Sequence, residues 1–109
     1  MITLKQFKKV NIRIGTIIQA RIFPDADIRA YQLKIDFGGF GLRQSIAQIT
    51  DRYSVEELLN KQVVAVLNFP PKKIASFTSE VLVLGVNGKN GGIALLELDK
   101  PIQNGAKIT

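Results

Sequence analysis

Val10, Ile12, Ile14, Thr16, Ile18, Ala20 and Ile22 recur at every second position, and Asn11, Arg13, Gly15, Ile17, Gln19 and Arg21 fill the gaps. No other stretch of the chain constrains the fold as tightly. Period-two alternation predicts a strand with one apolar face on a core and one polar face in water. The run is longer than the common strand of about 5–6 residues. Gly15 inside it predicts a bulge or bend, which swaps the faces beyond it. Which of Ile17 and Ile18 points inward is therefore open at this level.

The flanking segments give the order. Thr3, Leu4, Lys5 and Gln6 form a capping box that opens a short helix, with Leu4 and Phe7 facing inward. Phe23 to Asp27 reads as a loop. A second strand carries Tyr31, Leu33, Ile35 and Phe37 against Gln32, Lys34 and Asp36. Gly38 to Gly41 is a turn, and a third strand runs from about Leu42 to Gln48. Ser54 to Glu57 is a second capping box, opening a brief helix over Val55 to Asn60. Gln62 to Phe69 is mostly apolar, hence a central strand, and Pro70-Pro71 ends it. Glu80 to Val86 is a fifth strand, Asn87 to Gly92 a hairpin turn, and Ile93 to Leu98 a sixth strand. Lys72 and Lys73 fall in a loop. No repeat, low-complexity tract or Ser/Gly linker interrupts residues 1–109, so one compact domain is expected.

Three strands, a short helix and two or three more strands is the order of the OB-fold, an all-β, five-stranded, partly open Greek-key barrel. An N-terminal helix and C-terminal strands extend it. In that fold the face of strands two and three, with the flanking loops, grips oligonucleotides.

Composition excludes several chemistries. The chain has no Cys, His or Trp. No disulfide, thiolate nucleophile or Ser-His triad can form, and most zinc sites are removed. Glu56 and Glu57 are accounted for by helix capping, and no second carboxylate converges on them for acid–base work. Gly38 to Gly41 lacks the Lys-Ser/Thr of a phosphate loop. Asp25 and Asp27 are a lone pair in a loop. No catalytic residue, metal or cofactor is expected. The longest unbroken apolar run, Val63 to Leu67, is too short to cross a bilayer, and the N-terminus lacks the apolar core of a signal peptide. A cytoplasmic protein without membrane insertion is expected.

The net charge is +6, and residues 1–54 hold nine Lys or Arg against four Asp or Glu, whereas 55–109 hold six against five. A basic excess in one half fits a polyanion partner. Arg13, Arg21, Lys34 and Arg43 are expected on outward faces, with Arg29, Lys72 and Lys73 in loops. In an OB-fold, Arg13, Lys34 and Arg43 fall on the first three strands and are expected to be exposed on one barrel surface, contacting phosphates. Phe23, Phe40, Tyr53 and Phe77 lie in or beside loops, either to stack on bases or to rest on the core.

A more specific pattern runs through Phe7, Val10–Gly15, Phe23-Pro24, Ala30-Tyr31, Ile35–Gly38, Ser45–Thr50, Tyr53, Glu57-Leu58, Asn68–Pro71 and Ser79–Gly85. In this order and spacing the chain resembles the tRNA-binding domain family. That family includes C-terminal modules of some methionyl-tRNA synthetases and free-standing members described as secretion-related chaperones. Arg29 falls where related modules carry a Lys, and Ser79 on the Ser of their Ser-x-Gly-Met segment. Leu82 replaces that Met, and Asn11 replaces a common Asp. The resemblance implies a non-catalytic homodimer that binds tRNA or a structured RNA. With the basic positions it marks Arg13, Arg29, Lys34, Arg43, Gln48, Asn68, Lys72, Lys73 and Ser79 as RNA contacts. The chaperone members imply a second partner, unfolded or preprotein segments, held in an apolar groove. Phe23, Phe40, Phe69, Ile74 and Phe77 are the candidates for it. The dimer is expected around Ile2, Leu4, Phe7, Ile93 and Leu95, apolar residues that a small barrel leaves uncovered.

Overall fold

The computed structural model describes residues 1–109. The long alternation is a single strand, β1 (Ile12–Ile22), that serves two neighbours. Its first half pairs antiparallel with β4 (Gln62–Val66), from Ile12↔Val66 to Thr16↔Gln62. Its second half pairs antiparallel with β2 (Tyr31–Asp36), from Thr16↔Asp36 to Ile22↔Tyr31. The sheet folds over where the partner changes. Gly15 sits at that place because nothing larger fits: a Cβ there would lie 2.7 Å from Phe37 Cδ1 and 2.8 Å from both the Asp36 carbonyl oxygen and Ile35 Cγ2.

The bulge lies elsewhere than expected. The β1–β2 register shifts between Ile17 and Gln19, leaving Ile18 as the extra residue. Ile17 is fully buried and Ile18 is exposed. The expected faces are also inverted over the first half. Gly15 pairs with core residue Val63, and Ile17 belongs to the same core, so Arg13, Gly15 and Ile17 face the barrel interior. Ile12, Ile14 and Thr16 lie on the opposite side. That side is buried too: Ile14 is 1% exposed, and Val64 and Val66 are buried beside it. The C-terminal tail runs along this stretch of β1. The Ile14 N–H donates to Ala106 O at 3.1 Å, and the Ile108 N–H to Ile12 O at 2.9 Å. Alternation alone does not reveal which face is interior when both are covered.

β3 (Leu42–Ala47) and β7 (Leu82–Val83) complete a five-stranded antiparallel sheet in the order β3-β2-β1-β4-β7. Its two edges close through the 78–81 segment. The Glu80 N–H donates to Gln44 O at 2.8 Å, the Ser45 hydroxyl to Val81 O at 3.0 Å, and the Ile46 N–H to the Ser79 hydroxyl at 3.0 Å. The result is a nearly closed all-β barrel of the OB type. Phe37, Leu33, Ile35, Ile17, Val63 and Leu58 fill its centre.

Both capping boxes are present. Thr3 caps α1 (Leu4–Lys8) and Ser54 caps α2 (Val55–Leu58), which lies between β3 and β4 as the OB order requires. α2 is shorter than expected because Asn60 adopts φ 68° and turns its N–H to Ile17 O at 2.8 Å. The expected fifth strand is divided: β7 stays with β4, and β8 (Gly85–Asn87) pairs with β9 (Ile93–Leu95). A hairpin not foreseen, β5 (Lys72–Ile74) with β6 (Phe77–Ser79), takes the place of the loop assigned to Lys72 and Lys73. Its strands are too short to show a period. No helix is long and apolar enough to cross a membrane.

Candidate functional site

After β4 the chain leaves the barrel through Asn68, Phe69, Pro70 and Pro71. Neither proline can donate to a ladder, so this segment stands off the sheet. The β5–β6 hairpin then turns back and packs β6 against β3. The space enclosed is a groove of about 840 Å³. One wall is Ser45 to Ile49 at the end of β3. Phe69, Pro70, Lys72, Lys73 and Ile74 form another, and Ser79 to Gly85 a third. Hydrophobic residues supply 11 of its 20 lining positions.

The polar groups in the groove differ in availability. Lys72 and Lys73 are exposed and belong to none of the chain's ion pairs. Gln48 is exposed at the end of β3, and Phe69 is 52% exposed. Ser79 uses its oxygen as an acceptor for Ile46 N–H, which leaves its proton free to be donated. Glu80 is the one acid in the lining, and its carboxylate accepts the Gln44 N–H at 3.1 Å. The groove thus offers two free cations, two exposed amides (Gln48 and Asn87), a hydroxyl and an exposed ring over an apolar floor. Gln48, Lys72, Lys73 and Ser79 from the expected RNA set and Phe69 and Ile74 from the expected peptide set come together here. Sequence reading missed Ile28 and Asn87 in the lining; Ile46 and Gly85 fall within the Ser45–Thr50 and Ser79–Gly85 segments of the family pattern but were assigned no contact.

Other expected contacts lie outside the groove. Arg29 pairs with Asp51 at 3.0 Å, both side chains exposed. Asn68 accepts the Asn11 N–H at 2.8 Å and donates to Lys9 O at 2.7 Å, so it fastens the end of α1 to the chain after β4. Arg13 is half-buried and not outward. Its Nε donates to Asn11 Oδ1 and its Nη1 to Gly105 O, each at 2.8 Å, and its guanidinium stands 3.8 Å from the Phe40 ring centre. Arg43 alternates with buried Ser45 and Ala47, so it also sits on the interior side, at the barrel end, with its Nε donating to Phe40 O at 3.1 Å. Lys34 pairs with Gln19 and Gln44 on the outer side. The single face expected for Arg13, Lys34 and Arg43 is therefore corrected to two. The phases of the first and third strands are the opposite of those assumed.

The apolar candidates divide likewise. Phe23 is 2% exposed and packs edge-on against Phe77, with ring centres 5.3 Å apart, so it is core and not a groove contact. Phe77 is half-buried beside it. Phe40 lies at the barrel end under Arg13. Tyr53 is half-buried, and its hydroxyl accepts the Leu95 N–H at 2.9 Å. Ile2 and Leu4 are exposed and Phe7 is half-buried. Ile93 and Leu95 turn inward and pack on the core cluster. The register Val86↔Ala94 places Val86, Ala94 and Leu96 on the open side of that hairpin instead. The apolar surface of the β8–β9 hairpin is thus one residue out of phase with the expected one.

Comparison with known proteins follows the same lines. A family described as “Putative tRNA binding domain” matches residues 12–107. A methionine–tRNA ligase of Pyrococcus furiosus is 36% identical over 107 residues, covering 98% of this chain and 14% of the ligase. The chain therefore spans only about 14% of that relative's length. Among solved structures, chaperone CsaA from Bacillus anthracis superposes with a TM-score of 0.94 at 47% identity, covering 100% of this chain and 99% of that one. CsaA from Picrophilus torridus superposes with a TM-score of 0.92 at 48% identity and full coverage of both.

Proposed function

The chain belongs to the tRNA-binding domain family, and from that premise we propose that it binds tRNA or a tRNA-like RNA in the groove between β3 and the β5–β6 hairpin. The observation that carries this reading is the placement of unpaired Lys72 and Lys73 beside exposed Phe69, with Gln48 and Ser79 across the same space. The lysines neutralise phosphates, the ring stacks on a base, and the amide and hydroxyl bond to sugar or base edges. The protein acts by binding and not by catalysis, as one domain in the cytoplasm. The test is the salt dependence of tRNA binding. Log affinity falls linearly with log salt, by about 0.7–0.9 per phosphate contact. Lys72→Gln with Lys73→Gln lowers that slope by about 1.4–1.8. An unchanged slope removes the groove from the site.

A second reading rests on a separate observation, the 11 hydrophobic lining residues of the same groove. Two of the similar solved structures are CsaA chaperones, and this groove offers an apolar seat for an unfolded or preprotein segment. Peptide binding of that kind survives salt that abolishes RNA binding, and Phe69→Ser weakens it. Retained peptide affinity in Phe69→Ser contradicts this placement. The homodimer belongs to the same proposal: Ile2 and Leu4 with Val86, Ala94 and Leu96 are the uncovered apolar residues that support it. Light scattering that returns the mass of one chain removes it.

A further inference from the structure

β1 leaves part of one edge without a strand of the barrel. Its first half pairs with β4 on one side, and on the other side β2 begins only at Thr16. Residues 105–108 take up the backbone groups of Ile12 and Ile14 on that edge. The Gly105 N–H donates to Ile14 O at 2.8 Å, the Ile14 N–H to Ala106 O at 3.1 Å and the Ile108 N–H to Ile12 O at 2.9 Å. Arg13 and Lys107 lie opposite each other in this antiparallel bridge. The segment is a short strand added to a sheet edge, the arrangement by which sheets also take up extended peptides.

This added strand has no fully buried anchor. None of residues 96–109 is buried, and residues 96–106 form no helix or strand. Its other ties are polar and open to water in part. Asn104 Oδ1 accepts the Thr16 hydroxyl at 2.8 Å and Gln62 Nε2 at 3.2 Å, and Gly105 O accepts Arg13 Nη1 at 2.8 Å. Gln62 also bonds to Ile102, and Lys107 Nζ reaches Lys8 O at 3.3 Å. A segment with little apolar burial of its own opens at the low end of the range of local stabilities. Lifting it frees the N–H of Ile14 and the carbonyls of Ile12 and Ile14, beside an apolar surface of Ile14, Val64 and Val66.

A bare edge of this kind pairs with backbone, so it suits unfolded segments of varied sequence. We infer that this edge of β1 is a seat for extended polypeptide, and that residues 104–108 are a built-in strap that competes for it. The inference rests on the reading that the chain holds unfolded segments, and not on their lying in the groove. A peptide binds only those molecules whose strap is lifted, so its measured affinity is lowered by that fraction. Loosening the strap therefore tightens peptide binding, whereas loss of a purely structural cover does not. Gly105 supplies the means. It holds φ 92°, and a Cβ there would lie 2.6 Å from Phe37 O. Gly105→Ala unseats the strap and alters no side chain of the barrel.

The test uses the whole chain and a labelled peptide of alternating Thr and Val, flanked by lysines that keep it soluble and off the basic groove. Hydrogen exchange of the unaltered protein comes first. The Ile14 amide is expected to exchange well before that of Ile17, which is bonded to Lys61 O inside the barrel. Equal protection of the two means that the strap never lifts alone, and overturns the inference. Gly105→Ala is expected to bind the peptide about tenfold more tightly than the unaltered protein in fluorescence anisotropy. Asn104→Ala removes two of the strap's ties without backbone strain; it shifts affinity the same way and decides the case if Gly105→Ala does not fold. Unchanged or weaker binding overturns the inference. A peptide with Pro in place of each Val cannot complete a ladder and gains nothing; an equal gain with it overturns strand addition. In Phe69→Ser/Gly105→Ala the gain persists. Its disappearance places the peptide in the groove, overturning the edge and leaving the second reading standing. Persistence beside an unaffected Phe69→Ser keeps the edge and sinks the groove as a peptide seat. Self-association of Gly105→Ala in light scattering, without tighter peptide binding, assigns the edge to a second copy and overturns the inference as well.

Discussion

Arg13→Ala should cost stability before it costs binding. The side chain makes two hydrogen bonds at 2.8 Å, to Asn11 Oδ1 and Gly105 O, and lies 3.8 Å from the centre of the Phe40 ring. A hydrogen bond from a charged donor is worth about 1.5–3 kcal/mol, and a cation over a ring about 0.5–2 kcal/mol according to its exposure. Arg13 is half-buried, so water recovers part of each. A loss of about 3 kcal/mol is expected, which is roughly 10–20 °C in Tm for a chain of this length. Arg43→Ala removes one exposed hydrogen bond, at 3.1 Å, and should cost about 1 kcal/mol or less. Urea unfolding followed by circular dichroism measures both, with the slope m unchanged if only the native contacts are lost. A double-mutant cycle with Phe40→Leu isolates the ring contribution, expected near 0.5–1 kcal/mol. An Arg13→Ala protein within about 0.5 kcal/mol of the unaltered one, the usual span of a neutral surface change, refutes the reasoning. So does an Arg43→Ala protein that loses as much as Arg13→Ala.

Gly15→Ala drives a Cβ to 2.7 Å from Phe37 Cδ1; destabilisation of about 3 kcal/mol or more is expected in the same unfolding assay, and a change below about 1 kcal/mol contradicts the close approach. Asn68→Ala removes both ties to the end of α1 and should cost about 1–3 kcal/mol, with faster amide exchange in residues 4–9 and an unchanged salt slope for tRNA. Ala75 holds φ 53° at the tip of the β5–β6 hairpin, so Ala75→Gly should be neutral or stabilise by up to about 1 kcal/mol, and marked destabilisation counts against that backbone.

The barrel was legible because its signals are local. Thr3 and Ser54 announce two helices through capping, and alternation marks the first three strands. The phase of the first strand was not, because Ile14 and Ile17 are both buried, on opposite sides. An alternation argument assumes one wet face, and the tail from Gly105 to Ile108 removes it over Ile12 to Ile14. Arg13 was misplaced for the same reason: a long basic side chain on an interior face at a barrel end finds a carbonyl partner, Gly105 O, 92 residues away in sequence, which no local pattern reports. The β5–β6 hairpin escaped because three-residue strands show no period. Yet it supplies Lys72, Lys73 and Ile74 to the groove. For Ile93 and Leu95 the composition was read correctly and the register was not, since the bond from Leu95 N–H to Tyr53 fixes which face turns in.

The account stands on the groove beside β3 being where RNA lies. Ultraviolet crosslinking of the whole protein to bulk tRNA at low salt, with the adducts located by mass spectrometry, asks this directly. Adducts at Phe69 and on the segments Lys72–Ile74 and Ile46–Ile49 are the predicted result. Efficient crosslinking that leaves those segments free and falls on α1 or the β8–β9 hairpin would contradict it.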